Sequence, residues 1–211
     1  LVLLLLIGAL FFVAVYAMSR MGQDGGSFAA ADKVGVVTVD GIIRDARETV
    51  EQIENFGRDS RIKALVLRID SPGGGVAPAQ EIYEALLRIK KQKKVVASMG
   101  SVAASGGYLI ACAADKIVAN PGTITGSISA IMHFANVEEL MKKIGLKSSV
   151  VKSGKYKDTG TPVREMTADE RALMQSLVDD IYDQFLDVVS RNRKIPREDL
   201  KKIADGRIFS G

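Results

Sequence analysis

The sequence predicts an α/β protein whose largely parallel sheet is covered by helices. Over residues 34–211, short apolar segments of strand length alternate with longer amphipathic segments of helix length. Segment 63–70 is almost continuously apolar, which is typical of a strand with both faces covered. Repeated strand–helix order favours parallel strands joined by crossover helices.

Two helices carry clear start signals. Pro78 stands near the first turn of the helix predicted over 77–92, where proline is tolerated. Thr167 and Glu170 form a capping-box pattern at the start of a long amphipathic helix. The predicted strands are 34–40, 63–70, 94–99, 116–120 and 147–154, and the predicted helices are 46–59, 77–92, one after residue 105, 137–145, 167–194 and 196–206.

The first eighteen residues contain no charge and are long enough to span a bilayer. Because the apolar region of a cleaved signal peptide is usually shorter, residues 1–18 are predicted to be a transmembrane anchor. The chain starts without methionine, so we expect the anchor to begin upstream. Residues 19–33 are predicted to be a tether, and residues 34–211 the folded domain.

Composition disfavours several classes of partner and cofactor. The chain has 29 basic and 25 acidic residues, scattered along its length, and this weak net charge of +4 does not favour nucleic-acid binding. Cys112 is the single cysteine and His133 the single histidine, so neither an internal disulfide nor a zinc cluster is expected. We expect no metal and no organic cofactor.

Three loops rich in small residues follow predicted strands. They are "DSPGGG" at 70–75, "GSVAASGG" at 100–107 and "PGTITGS" at 121–127. Since ligands bind at the carboxyl ends of strands in α/β sheets, these loops are expected to converge on one site. The first loop lacks the Gly-Lys-Ser/Thr of a phosphate loop, which disfavours nucleotide binding.

Ser105 has two interpretations. It directly precedes an apolar helix. It is either a nucleophile at the helix start or one of several small residues that allow close packing. The backbone N–H groups of residues 73–75 and of Gly106 are candidate oxyanion donors, although the glycine run also fits a tight turn.

A nucleophilic serine needs a general base. His133 is flanked by apolar residues, which favours a core or structural histidine. Lys152, Lys155 and Lys157 lie in a segment that contains glycine and proline, and composition alone favours solvated lysines there. Burial among apolar atoms favours the neutral amine that a base requires.

Five motifs together resemble a known family. "DSPGGG", "ASGGY", "TGSI", "SGKYKD" and "DGRIFSG" occur in this order between residue 34 and the end of the chain. They resemble signal peptide peptidase A, a bacterial membrane-anchored Ser/Lys protease family related to Clp protease and the crotonases. The resemblance implies a Clp protease/crotonase-like parallel sheet of repeated ββα units, preceded by one N-terminal transmembrane helix. It assigns Ser105 as nucleophile, Lys157 as general base, Gly73 or Gly74 with Gly106 as oxyanion donors, and Ser127 as the residue that orients the lysine.

The resemblance also implies a function and a location. The protein would be a serine endopeptidase that digests signal peptides left after export, and unfolded peptides. It would be a single-pass protein of the bacterial cytoplasmic membrane, with its catalytic domain extracytoplasmic. Family members continue beyond "DGRIFSG", so we expect more of the domain after residue 211.

The chain has one motif set, like the short form of the family. By analogy with the tandem form, a homo-oligomeric ring would share each site between neighbouring subunits. Ser105 and Lys157 of one subunit should then be beyond hydrogen-bond reach.

Three alternatives remain at this stage. They are a Clp-like protease that uses Ser105 and His133, a crotonase-like acyl-thioester enzyme with the same oxyanion glycines, and a membrane scaffold without activity.

Overall fold

The computed structural model describes residues 32–211. The anchor predicted over 1–18 and almost all of the tether predicted over 19–33 lie outside the described residues. In the part of the chain that is described, none of the helices combines the length and apolar character needed to cross a bilayer.

The described residues form one six-stranded sheet with helices packed against it. The strands are β1 (Lys33–Asp40), β2 (Ile62–Ser71), β3 (Lys94–Ala104), β4 (Lys116–Val118), β5 (Ile124–Gly126) and β6 (Ile208–Ser210). The helices are α1 (Arg47–Arg58), α2 (Val76–Lys90), α3 (Gly106–Ala111), α4 (Glu138–Lys143), α5 (Ala168–Arg193) and α6 (Arg197–Lys201).

The sheet is mixed, with the order β1-β2-β3-β5-β6. Strand β3 is its centre, because it pairs with β2 on one side and with both β4 and β5 on the other. The predicted parallel pairing is confirmed for β1 to β5, whereas β6 runs antiparallel to β5. Strand β6 was not predicted from the sequence, and β5 lies within the segment 121–127 that was predicted to be a loop.

One face of the sheet is buried and the other is partly exposed. Leu65, Leu67 and Ile69 of β2 are fully buried against the helices, and burying each stabilises the fold by about 1.5–3 kcal/mol. On the opposite face, Val36 of β1 is 51% exposed, and Arg68 of β2 is exposed with its guanidinium donating to Ser98 Oγ. The prediction that both faces of this strand are covered is therefore wrong for the single chain.

Residues 130–166 form a segment that we call the arm. None of its residues is buried, although α4 lies within it. The strand predicted over 147–154 is absent, because these residues find no neighbouring strand to pair with. The arm folds back on itself, with the Val137 N–H donating to Pro162 O at 2.7 Å. Nine large apolar side chains in the arm are exposed: Ile131, Met132, Phe134, Leu140, Ile144, Leu146, Val150, Val151 and Tyr156.

The long helix α5 begins and ends as its sequence predicts. Thr167 accepts a hydrogen bond from the Glu170 N–H, and the Glu170 side chain accepts one from the Thr167 N–H, so the capping box is confirmed. Near its other end, Leu186 and Val189 are fully buried in the core. The helix therefore links the base of the arm to the sheet.

Candidate active site

A bulge in β3 directs the end of this strand toward the site. Ile69 of β2 pairs with Met99 of β3 and Ser71 pairs with Ala103, so the three residues 100–102 of β3 lie opposite Asp70 alone. The Asp70 carboxylate accepts the N–H groups of Ser101 at 3.2 Å and Val102 at 3.0 Å, and these bonds hold the Asp70 pKa below its usual value. Asp70 therefore stabilises the bulge, after which β3 pairs with β5.

Ser105 lies where β3 ends and α3 begins, in a backbone conformation that is unusual for a residue with a side chain. Its φ is 53° and its ψ is −121°, and its N–H donates to Gly126 O at 2.9 Å. Such a conformation costs about 1–3 kcal/mol and occurs mostly at functional sites, where the surrounding structure enforces it. The half-buried serine thus has the strained strand-to-helix geometry expected of a nucleophile.

The first glycine loop packs directly against this serine. A Cβ on Gly73 would lie 2.9 Å from Ser105 Cβ and 2.7 Å from the Gly106 nitrogen, and the φ of Gly73 is +100°. Only glycine fits there without strain. The Gly73 N–H donates to Ser71 Oγ at 3.1 Å, so it is already engaged.

Gly74 has a different environment. Its neighbours bridge to Ile43, with the Ile43 N–H donating to Gly73 O at 3.0 Å and the Gly75 N–H to Ile43 O at 2.7 Å. Within residues 32–211, no acceptor is found for the N–H of Gly74 or of Gly106. The Gly74 nitrogen lies 3.4 Å from the position of a Cβ on Gly106. Two backbone donors without acceptors thus lie side by side next to Ser105, as an oxyanion site requires.

A small apolar cleft of about 40 Å³ opens beside Ser105. Helix α5 forms one wall and α2 and α3 form the others. The Gln80 side chain donates to Gln184 Oε1 at 2.8 Å on the cleft lining. The apolar residues that line it are Val76, Ala79, Leu109, Ile181, Phe185 and Val188.

Lys157 lies away from Ser105 within one chain. It is exposed in a turn of the arm, and no hydrogen bond joins it to Ser105. Asp158, its neighbour, is paired with Arg164, which is paired with Glu170 in the first turn of α5. Phe185, on the same helix, lines the cleft beside Ser105, and the rise of the helix between positions 170 and 185 is about 22 Å. The serine and the lysine turn therefore lie toward opposite ends of α5.

The histidine and the second serine lie in different surroundings. His133 is exposed and lines a separate cavity of about 430 Å³ in the arm. Of the core or structural role expected for it, the core position is therefore wrong. Ser127 directly follows Gly126, whose carbonyl accepts the Ser105 N–H. Its φ is 52°, and its own N–H donates to Arg207 O at 2.8 Å.

Sequence reasoning missed several side chains that shape the site. Ser71 is fully buried and binds the glycine loop, while Thr123 Oγ1 donates to Gly100 O and Thr125 Oγ1 to Ala103 O, both at 2.8 Å. The Asp-Ser pair before the glycine run was the available signal for Asp70 and Ser71, because short polar side chains bond to nearby backbone. Among residues 32–211, no cluster of three or more His, Cys, Asp or Glu side chains could hold a metal ion.

Comparison with known proteins gives consistent matches. The family model described as peptidase family S49 matches residues 88–211. A candidate protease of Synechocystis sp. is 43% identical over 180 residues, which is 85% of this chain and 65% of that protein. A candidate protease of Methanocaldococcus jannaschii is 35% identical, over 80% of this chain and 54% of its own length. Protease 4 of Haemophilus influenzae is 33% identical, over 85% of this chain and 31% of its own length. The chain thus spans between about a third and two thirds of these relatives.

A solved structure supports the fold. A ClpP1 mutant from Listeria monocytogenes superposes with a TM-score of 0.56, covering 82% of this chain and 80% of that one, at 16% sequence identity. At this identity the likeness concerns the fold alone. It confirms that the α/β architecture is Clp protease-like.

Proposed function

The chain belongs to peptidase family S49, and on that premise we propose that it is a serine endopeptidase with Ser105 as nucleophile and Lys157 as general base. The observation that carries the proposal is the site around the strained serine. The N–H groups of Gly74 and Gly106 find no acceptor in the described residues and lie next to Ser105. This arrangement suits an oxyanion that forms when the serine attacks a carbonyl.

In the proposed reaction, a neutral Lys157 accepts the Ser105 hydroxyl proton while Oγ bonds to the peptide carbonyl carbon. The carbonyl oxygen becomes an oxyanion that accepts hydrogen bonds from Gly74 and Gly106. The C–N bond then breaks, and the lysine ammonium gives its proton to the leaving amine. A water that loses a proton to the same lysine hydrolyses the acyl ester and restores the serine.

We propose that the lysine comes from a neighbouring subunit. Within one chain, Ser105 and Lys157 share no hydrogen bond and lie toward opposite ends of α5. The arm that carries Lys157 buries none of its own residues and exposes nine large apolar side chains. Exposed apolar patches of this kind mark interaction surfaces, and burial against a second copy would also favour the neutral amine. Ser127 beside the serine is proposed to orient that amine.

The apolar cleft beside Ser105 supports apolar peptides as substrates. We propose that these are remnant signal peptides and unfolded extracytoplasmic chains. The proposed location is the bacterial cytoplasmic membrane, with the segment over residues 1–18 as a single-pass anchor and the catalytic domain outside the cytoplasm.

Hydrolysis of casein and of a synthetic signal peptide tests the assignment of the base. Ser105→Ala and Lys157→Ala should each abolish hydrolysis by the full-length protein, while His133→Ala should keep it. A fluorophosphonate probe should label Ser105 in the wild type, which an acyl-thioester enzyme without a nucleophilic serine would not allow. Full activity of Lys157→Ala would refute the proposed mechanism, and loss of activity in His133→Ala alone would favour a serine–histidine protease.

Co-expression tests the shared site. When the inactive Ser105→Ala and Lys157→Ala chains assemble together at random, about a quarter of the sites receive an intact serine and an intact lysine from adjacent subunits. Recovery of about a quarter of wild-type activity is expected. No recovery from properly mixed assemblies would show that each site is built within one subunit.

A further inference from the structure

Lys157 lies in a turn that has little support from regular structure. Residues 153–160 form successive turns, held by short-range bonds such as that from the Lys157 N–H to Gly154 O at 3.2 Å. Among residues 32–211, the Lys157 side chain forms neither a hydrogen bond nor an ion pair. A base must be held within about 0.5 Å of its working position, so another group has to fix this turn.

Asp158 connects the turn to its surroundings. Its side chain is 13% exposed and its carboxylate pairs with Lys152 on one side. On the other side it accepts a hydrogen bond from Arg164 Nε at 3.3 Å and forms an ion pair with Arg164 Nη2 at 3.1 Å. The bond from Lys152, followed by that from Arg164, holds the Asp158 pKa below its usual value, so the carboxylate stays charged at neutral pH. The residue that follows the proposed base is thus clamped from both sides.

Arg164 connects this clamp to the long helix. Its Nη1 donates to Glu170 Oε2 at 2.8 Å and its Nη2 to Oε1 at 2.6 Å, which is the parallel fork that guanidinium and carboxylate groups prefer. The Glu170 side chain is 3% exposed and belongs to the first turn of α5. The Arg164 guanidinium holds the pKa of Glu170 far below its usual range. The charged pair therefore persists throughout the pH range of an assay.

Capping of α5 does not by itself require Arg164. The capping box needs only the reciprocal bonds between Thr167 and Glu170. Arg164 adds two hydrogen bonds to Glu170, and one hydrogen bond and an ion-pair contact to Asp158. Thr159 Oγ1 adds a long contact to Glu170 Oε1 at 3.4 Å. The extra bonds all lead from the helix to the turn that carries Lys157. A guanidinium supplies this geometry because its donors form a rigid fork.

We propose that Arg164 is a positioning residue, which fixes the Lys157 turn on the first turn of α5 through Asp158 and Glu170. This role rests on the proposed use of Lys157 as the base. Helix α5 also forms a wall of the Ser105 cleft. The same helix therefore positions the cleft near one end and the turn that carries Lys157 near the other.

The chain offers a matched control. Lys155 Nζ pairs with Asp169 Oδ2 at 2.5 Å, which ties the same turn to the same end of α5. Both of these side chains are more than 60% exposed, and exposed pairs contribute little. Asp169→Asn should therefore leave kcat within about twofold of the wild type.

The test compares Arg164→Met, Arg164→Lys, Glu170→Gln and Asp169→Asn in the full-length assembled protein, with active sites counted by fluorophosphonate labelling. Arg164→Met should lower kcat about tenfold or more and keep KM within about twofold of the wild-type value. It should also move the rising limb of the pH–rate profile to higher pH, because a displaced Lys157 amine is better hydrated. Arg164→Lys should recover part of kcat, and Glu170→Gln should show a smaller loss of the same kind.

The outcomes distinguish a failure of the positioning role of Arg164 from a failure of the proposed use of Lys157 as the base. If Lys157→Ala is inactive while Arg164→Met keeps the wild-type kcat and pH profile, the positioning role is wrong and the mechanism stands. If Lys157→Ala is active, the mechanism itself fails, and the positioning role fails with it. A fall in folded protein for both Arg164→Met and Glu170→Gln, with unchanged kcat per labelled site, would assign the network to stability alone and overturn the inference.

Discussion

Replacing Gly74 by alanine perturbs the proposed oxyanion site at one of its two donors. The added Cβ would lie 2.2 Å from Ile43 O and 2.6 Å from the Ile43 nitrogen, distances that real Cβ atoms do not adopt. These are backbone atoms in a bridge closed by two hydrogen bonds, so neither can rotate away as a side chain would. Residue 74 must move, and its N–H moves with it.

The size of the effect follows from this geometry. Overpacking of a closely packed site costs about 1–3 kcal/mol, and for a domain of this size each kcal/mol lowers Tm by about 2–4 °C. Displacing one oxyanion donor lowers kcat by about 10²–10³. We therefore expect a melting temperature lower by roughly 2–12 °C and a far larger proportional loss of hydrolysis.

The assay pairs thermal unfolding with peptide hydrolysis well below the melting transition. Gly122→Ala is the control, because a Cβ on Gly122 meets nothing within 4 Å and its φ needs no glycine. That variant should match the wild type in both measurements. A Gly74→Ala protein that is folded, assembled and within about threefold of the wild-type kcat would refute the assignment of this N–H to the oxyanion.

Three further predictions concern stability and reactivity. Burial raises the pKa of Cys112 to about 12, so iodoacetamide at pH 8 should modify this thiol only after denaturant is added, and rapid labelling of native protein would contradict its burial. Thr167→Ala should lower the free energy of unfolding by about 1 kcal/mol through loss of the α5 cap, as measured by urea denaturation. Hydrogen bonds from Ser101 and Val102 lower the pKa of Asp70, so the stabilisation that its carboxylate provides is present above the unfolded carboxyl pKa and is lost as pH falls through the folded pKa. The Tm difference between the wild type and Asp70→Asn should therefore shrink from pH 6 toward pH 2. A Tm difference that stays constant over this range would refute the prediction.

The sequence predicted those parts of the fold that depend on local pattern. Strands β1 and β2 and helices α1, α2 and α5 lie within about two residues of their predicted bounds, since apolar periodicity and caps specify them directly. Strand β3 begins at Lys94 as predicted but continues to Ala104, well beyond its predicted end at residue 99, because its last residues pair with β5. Strands β5 and β6 were missed because each has three residues and forms only through pairing with a distant partner. The strand expected over 147–154 is absent, because these residues find no strand to pair with among the described residues of one chain.

For the site, the position of the loops after predicted strands predicted the convergence of the glycine loop with Ser105, which the structure confirms through the contacts of Gly73. The pattern did not distinguish between Gly73 and Gly74 as the candidate oxyanion donor. That distinction depends on which N–H is already bonded, and the buried Ser71 hydroxyl that engages Gly73 acts through folded geometry. The roles of Ser105, Lys157 and Ser127, and of the candidate oxyanion donors Gly73, Gly74 and Gly106, remain predictions.

The unburied arm has a consequence for when such an enzyme works. If the lysine comes from a neighbouring subunit, as proposed, an isolated newly made chain has the strained serine but no amine to activate it. Peptidase activity would then rise steeply with the local concentration of the protein, because each active site requires two subunits to associate. Dilute copies would then not hydrolyse neighbouring proteins.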